Sequence, residues 1–173
     1  WLPLSRGLGD VYKRQSNGYT IKMLDDEHLK LFNDIDLSLD FSEPNLHDSL
    51  RGDGAASEVL SGVERCKKLG VEVSLATAMM KENCRQIDQL TGLARSLDVN
   101  LRINTYQPVN TFKHKMTYEE FWDGIRLLLG TSSLISCSEP IVNARIGNKT
   151  LDGGSPCGKI SLRINPDGGV VPC

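Results

Sequence analysis

The sequence predicts an α/β fold in which parallel strands are joined by helical crossovers, as an α/β barrel or a doubly wound sheet. Three observations carry the prediction. Strand-like runs begin near Ile35, Val71 and Val99. Apolar residues at helical spacing follow, so that the unit strand, loop, helix repeats. Of the 173 residues, 39% are hydrophobic, 24% are charged and 16 are glycine, a mixture that fits an ordinary globular chain and excludes a disordered or collagenous one.

Taken in order, WLPLSRGLGDVYKRQ shows neither a helical nor a strand period, and it lacks the pattern of a signal peptide. Its part SRGLGDVYKRQ resembles read-through of adapter sequence, so residues 1–15 are expected to be a non-native or unrelated leader. DDEHLKLFND predicts a short amphipathic helix, and Ile35 to Asp40, IDLSLD, alternate as a short strand. FSEPNLHDSLRGDG has loop chemistry. A helix is expected from about Ala55 to Leu69, with Val59, Leu60, Val63, Cys66 and Leu69 on one face and Gly70 as its stop. Val71 to Thr77, VEVSLAT, is a β-branched strand. Asn83 with Gln86 forms a capping-box signature ahead of a helix bearing Ile87, Leu90, Leu93, Ala94 and Leu97. Val99 to Tyr106 predicts the next strand. Thr117 with Glu120 repeats the capping signature before FWDGIRLLLG, which stops at Gly130. Residues 131–156 lack periodicity and read as a linker. KISLRI and GVV flank NPDGG, a Pro-Asp-Gly turn, so residues 157–173 are expected to form a hairpin framed by Cys157 and Cys173. A chain that begins at Trp1 and stops directly after a strand-like run is expected to be a fragment.

Charge and cysteine content narrow the function classes. Twenty Lys and Arg against 22 Asp and Glu give a net charge of -2 with no basic block, so nothing argues for nucleic acid or anionic lipid as a partner. The longest apolar run, near Leu127 to Leu129, is far short of the roughly 20 residues that a membrane span needs. Five cysteines are too sparse for a disulfide framework and leave one unpaired, so a reducing cytoplasm is the expected location.

In both candidate architectures the ligand site lies at the C-terminal ends of the strands. That rule selects Ser38 and Asp40, the following stretch with His47 and Arg51, Thr77, and Tyr106 with Gln107.

Four segments together resemble the radical S-adenosylmethionine (radical SAM) enzymes that carry a C-terminal SPASM extension, a group that includes sulfatase-maturing enzymes and peptide-modifying maturases. SNG at Ser16 to Gly18 looks like the family's Thr-Asn-Gly at the end of the third barrel strand, with Ser in place of Thr. DLSLDFSEPNLHDSLRG, Asp36 to Gly52, looks like the fourth strand and its Ser-Leu-Asp, His-Asp, Arg-Gly series. LRINTYQPVN is similar to the sixth strand and the proline-containing stretch after it. CGKISLRINPDGGVVPC has ten residues between Cys157 and Gly168 and four between Gly168 and Cys173, the spacing that opens the SPASM motif. The resemblance covers about residues 16–173. The family's CxxxCxxC and Gly-Gly-Glu-Pro segments do not occur in this sequence, and both would precede Ser16.

The resemblance implies a partial (β/α)6 radical SAM barrel over residues 16–130, a linker over 131–156 and a truncated SPASM domain over 157–173. It implies cleavage of S-adenosylmethionine to a 5'-deoxyadenosyl radical that abstracts hydrogen from a peptide or protein side chain, with flavodoxin or ferredoxin as electron donor. The fragment alone is expected to be inactive. Arg51, thirteen residues after Ser38, would meet the ligand carboxylate, for which the planar guanidinium fork is suited. Ser38 would meet the ribose hydroxyls, and Asp40 would position ribose or substrate or else cap its own turn. Asn17 and Gly18 would lie near the methionine or the substrate, although an Asn-Gly pair is also a turn signal. Gln107, Pro108 and Val109 would pass the adenine. Cys157 and Cys173 would supply two of the four thiolates of an auxiliary [4Fe-4S] cluster, with zinc the competing reading.

Other residues read as structural. His47 and Asp48 have no assignable acid-base partner and are expected to be structural loop residues. His28 and His114 are expected on the surface, Cys66 in the core, and Cys84 at a helix start. Cys137 falls in the linker. Two other functions remain compatible with the residues: a non-radical α/β-barrel enzyme using Asp40, His47 and Arg51, and a metal-binding scaffold without catalysis.

Overall fold

The computed structural model describes residues 13–108, 111–131, 162–164 and 169–172. The first of its two compact units, Trp1–Ser133, contains four strands: β1 (Lys13–Ser16), β2 (Asp34–Ser38), β3 (Glu72–Met79) and β4 (Asn100–Thr105). All three neighbouring pairs are parallel, and the spatial order is β1-β2-β3-β4. Sequential order without a reversal means that right-handed crossovers lay the helices on one face of the sheet, whereas a doubly wound sheet reverses direction and covers both.

The strand residues agree. Register aligns Asp36 with Ser74, Ser74 with Asn100, and Ala76 with Arg102, so Asp34, Asp36 and Ser38 share a face with Ser74, Ala76, Ala78, Asn100, Arg102 and Asn104. The opposite face carries Ile35, Leu37, Val73 and Leu75, all buried. Helix α4 (Ala55–Lys68) contacts β2 and β3, and α5 (Ile87–Ser96) contacts β4. Their inward residues Val59, Val63, Cys66, Ile87, Leu90 and Ala94 complete the core. Helix α6 (Tyr118–Thr131) lies on α5 and begins with the expected reciprocal cap: Thr117 N–H donates to Glu120 Oε2 at 2.8 Å, and Glu120 N–H donates to Thr117 Oγ1 at 3.2 Å.

Several expectations are corrected. Residues 13–15, which show no strand period in the sequence, lie in β1. Between α1 (Tyr19–Met23) and β2, DDEHLKLFND forms only the single turn α2, Asp26–Leu29. The expected loop 41–54 contains α3, Pro44–Arg51, because Pro44 fixes the first-turn φ of a helix and its missing N–H is not needed there. Thr77 lies within β3 rather than after it, and its Oγ1 donates to Leu39 O at 2.6 Å. The Asn83 side chain caps no helix. Instead it is fully buried between the ends of two strands.

The second unit, Leu134–Cys173, contains β5 (Leu162–Ile164) and β6 (Val170–Pro172), paired antiparallel with Leu162 opposite Pro172. Cys137, Cys157 and Cys173 lie outside the described residues, as does Val109.

Gly18 fixes the approach of β1 to α4. Its φ is +97°, and a Cβ there would lie 2.9 Å from the backbone carbon of Glu58 and 3.0 Å from Val59 N. Both atoms belong to helix backbone and cannot swing away. Gly18→Ala is therefore expected to destabilise the full-length protein by at least about 2 kcal/mol, read from urea unfolding midpoints. A loss under about 0.5 kcal/mol would show that α1 and α4 can separate freely.

Candidate active site

The C-terminal ends of β1, β2 and β3 bring the first candidates together with partners that the sequence alone did not name. After β1, Ser16 Oγ accepts from Gly18 N–H at 3.1 Å and Asn17 Oδ1 accepts from Tyr19 N–H at 3.3 Å. Asn17 is exposed and serves the turn. Ser38 ends β2 and is buried.

Asp40 follows β2 with no exposed surface, and each of its polar groups is engaged. Its Oδ1 accepts from Ala78 N–H at 2.9 Å, extending the β2–β3 ladder by a side chain. Its Oδ2 takes Arg51 Nε at 2.7 Å and Arg51 Nη2 at 2.6 Å. Its own N–H donates to His47 Nδ1 at 3.1 Å, and its carbonyl accepts from Asn83 Nδ2 at 2.9 Å. Asn83 also donates to Ala78 O at 3.0 Å and accepts from Met80 N–H at 2.8 Å. The two loops leaving β2 and β3 are thus joined through Asp40 and Asn83.

This geometry gives each residue of the His-Asp, Arg-Gly series a physical role. His47, on α3 and buried, accepts the Asp40 N–H. Asp48 accepts from Gly54 N–H at 2.9 Å and Ala56 N–H at 2.8 Å, capping the start of α4. Gly52, with φ +106°, ends α3, and Gly54, with φ +78°, starts α4. Arg51 lies in the last turn of α3, its side chain 37% exposed. Its side edge, Nε and Nη2, is held by Asp40. Its end edge, Nη1 with the second Nη2 hydrogen, meets no partner among the described residues. A guanidinium held this way presents a two-donor fork to a planar anion.

Because His47 Nδ1 accepts a hydrogen bond, its imidazole is neutral with the proton on Nε2. Burial pushes its pKa below the ordinary value; the Arg51 charge adds to this, while Asp40 and Asp48 oppose it. The unfolded chain therefore takes up the His47 proton at a higher pH than the folded one. This contribution to stability is full above about pH 6.5 and is lost as pH falls through the lower folded value. The melting temperature is expected to fall from pH 7 towards pH 5, and His47→Gln should flatten that slope. An unchanged slope in the variant would rule out His47 as its source.

On the polar face of the sheet, Arg102 reaches from β4 across the small Ala76 of β3 to β2. It meets Asp34 Oδ2 at 2.5 Å and Asp36 Oδ1 at 2.9 Å. The sequence reading did not select these three residues as site candidates, and it took Asn83 only for a helix cap. The signal was present in the alternation Asp34, Asp36, Ser38, which on a parallel strand marks a face left uncovered by helices.

Tyr106 continues the β3–β4 pairing through its N–H to Met79 O at 2.8 Å, and Gln107 beyond it is exposed. His114, expected on the surface, is half-buried, paired with Glu82 at 2.9 Å and packed edge-on against Tyr106. Cys66 is buried on α4 as expected, and Cys84 is buried in the turn before α5, both as free thiols. Among the described residues no group of three or more His, Cys, Asp or Glu side chains could hold a metal ion. No described helix is long and apolar enough to cross a membrane.

The fold of this chain matches solved structures. The anaerobic sulfatase-maturating radical SAM enzyme anSMEcpe, with bound AdoMet and the Kp18Cys peptide, superposes with a TM-score of 0.63 at 17% identity, covering 94% of this chain and 51% of that one. The likeness is one of fold, an α/β arrangement with a four-stranded parallel sheet. The same enzyme with AdoMet and the Cp18Cys peptide gives a TM-score of 0.58 at 16% identity over 80% of this chain and 39% of that one. Its histidine-tagged form with AdoMet gives 0.57 at 16% identity over 79% and 36%. The chain thus spans about half the length of anSMEcpe or less. No protein-family profile and no curated protein matches the sequence.

Proposed function

We propose that this chain is the middle portion of a cytoplasmic radical SAM enzyme of SPASM type that modifies a peptide or protein side chain. The observation that carries this reading is the Arg51 fork. One edge is anchored by the buried carboxylate that follows β2 and the other meets no partner among the described residues, in a fold similar to that of anSMEcpe with bound AdoMet. S-adenosylmethionine bound at a reduced [4Fe-4S] cluster would supply the one-electron chemistry that removes hydrogen from the substrate.

The residues here bind and orient. Arg51 takes the carboxylate, Ser38 the ribose hydroxyls, and the backbone at Gln107 lies along the adenine. Asn17 holds the β1 turn beside the substrate. Cys157 and Cys173 are assigned to an auxiliary cluster, and flavodoxin or ferredoxin to electron delivery. The polar face on which Arg102 bridges Asp34 and Asp36 would line the barrel interior.

The test uses the full-length protein reconstituted anaerobically with iron and sulfide, then reduced with S-adenosylmethionine present. Bound iron together with 5'-deoxyadenosine is the expected result. Iron without 5'-deoxyadenosine would make the protein a metal-binding scaffold, and neither would return it to the non-radical barrel enzymes.

A further inference from the structure

We infer that Asp40 is a positioning residue for the Arg51 fork and not a ligand of S-adenosylmethionine. The inference deepens the proposed function and rests on it. Asp40 has no exposed surface, and both carboxylate oxygens are already taken, one by Ala78 N–H and the other by two donors of Arg51. Its backbone is held by His47 on one side and Asn83 on the other. Four protein groups from α3, β3 and the turn after β3 therefore fix where this carboxylate sits.

Arg51 is the opposite case, partly exposed and with an end edge that meets no partner among the described residues. A long side chain on the last turn of a helix samples many rotamers unless something holds it, and that freedom is lost on binding. Asp40 removes it beforehand. Its oxygen fixes the side edge, so the end edge keeps one direction and meets a ligand carboxylate without reordering.

Asp40→Asn separates this role from a structural one. The amide oxygen still accepts from Ala78 N–H, and both backbone bonds of residue 40 persist. The amide NH2, however, faces the guanidinium donors and releases Arg51. The full-length reconstituted enzyme is titrated by calorimetry with two probes, S-adenosylmethionine and 5'-methylthioadenosine, which keeps the adenosine but has no carboxylate. Asp40→Asn is expected to weaken S-adenosylmethionine roughly tenfold and to leave 5'-methylthioadenosine within about twofold. Asp40→Asn with Arg51→Ala should bind no more weakly than Arg51→Ala alone.

Equal losses on both probes would make Asp40 a ribose ligand or a purely structural residue, and an unchanged S-adenosylmethionine affinity would show that Arg51 needs no aiming. Either result overturns the inference alone. Wild-type enzyme that fails to bind S-adenosylmethionine, or an Arg51→Ala variant that binds it normally, overturns the proposed function as well. Arg51→Lys supplies a second arm with Asp40 intact. Lysine can pair with Asp40 but has no second planar edge, so it should lose S-adenosylmethionine affinity as Arg51→Ala does; wild-type affinity in Arg51→Lys would overturn the preset fork.

Discussion

Asn83→Ala is expected to cost the full-length protein about 3 to 4 kcal/mol of stability, the largest loss of any single truncation near the site. Asn83 has no exposed surface, and its amide satisfies Asp40 O, Ala78 O and Met80 N–H at 2.9, 3.0 and 2.8 Å. Alanine removes all three partners at once, and each buried group left unpaired costs about 1 to 3 kcal/mol less whatever water can recover. Urea unfolding should show a lower midpoint with unchanged slope, because the surface exposed on unfolding stays the same. Lys81→Ala, two residues away and exposed, should shift stability by less than about 0.5 kcal/mol. A loss below about 1 kcal/mol for Asn83→Ala would mean that the β2 and β3 loops are held together by something else.

On the proposed function, Arg51→Ala is expected to weaken S-adenosylmethionine binding to the full-length protein roughly ten- to a hundredfold, the equivalent of about 1.5 to 3 kcal/mol for a charge-assisted pair. It also strands the buried Asp40 carboxylate with Ala78 N–H as its remaining side-chain partner, so the melting temperature should fall in the same variant. Calorimetry well below the melting point separates the two effects. An affinity within twofold of wild type, measured on folded protein, would remove the carboxylate from Arg51.

These two residues differ in how visible they are. Arg51 is singled out by the family resemblance and its place after a strand, but its pairing with Asp40 is visible only in the structure. Asn83 is misread as a helix cap: an Asn followed three residues later by Gln has the spacing of a capping box, and only the position of the neighbouring strand shows that its amide points the other way. Asp40 is ambiguous for a similar reason. Its type permits a turn cap, a ligand or an ion pair, and the choice among them depends on His47, Arg51 and Ala78, which lie 7, 11 and 38 residues away in sequence.

Helix α3 marks another limit. Pro44, Asn45, Asp48 and Gly52 each favour turns, so residues 41–54 read as a loop. The structure resolves the same residues into two turns of helix ended by Gly52, because their side chains bond outward to Asp40 and α4 and leave the backbone free to pair within the helix.

Local sequence suffices for the parallel α/β alternation, the helical faces that form the core, the capping box of α6 and the set of strand-end residues around Ser38, Asp40 and Arg51. Those properties are periodic or local and need only neighbouring residues to express them. Packing of distant segments decides that one face of the sheet stays polar, that Arg102 bridges to Asp34 and Asp36, and that Asp40 faces Arg51 and Ala78. Each of these depends on which strands adjoin and in what register, and register is set by long-range contacts that no short window of sequence contains.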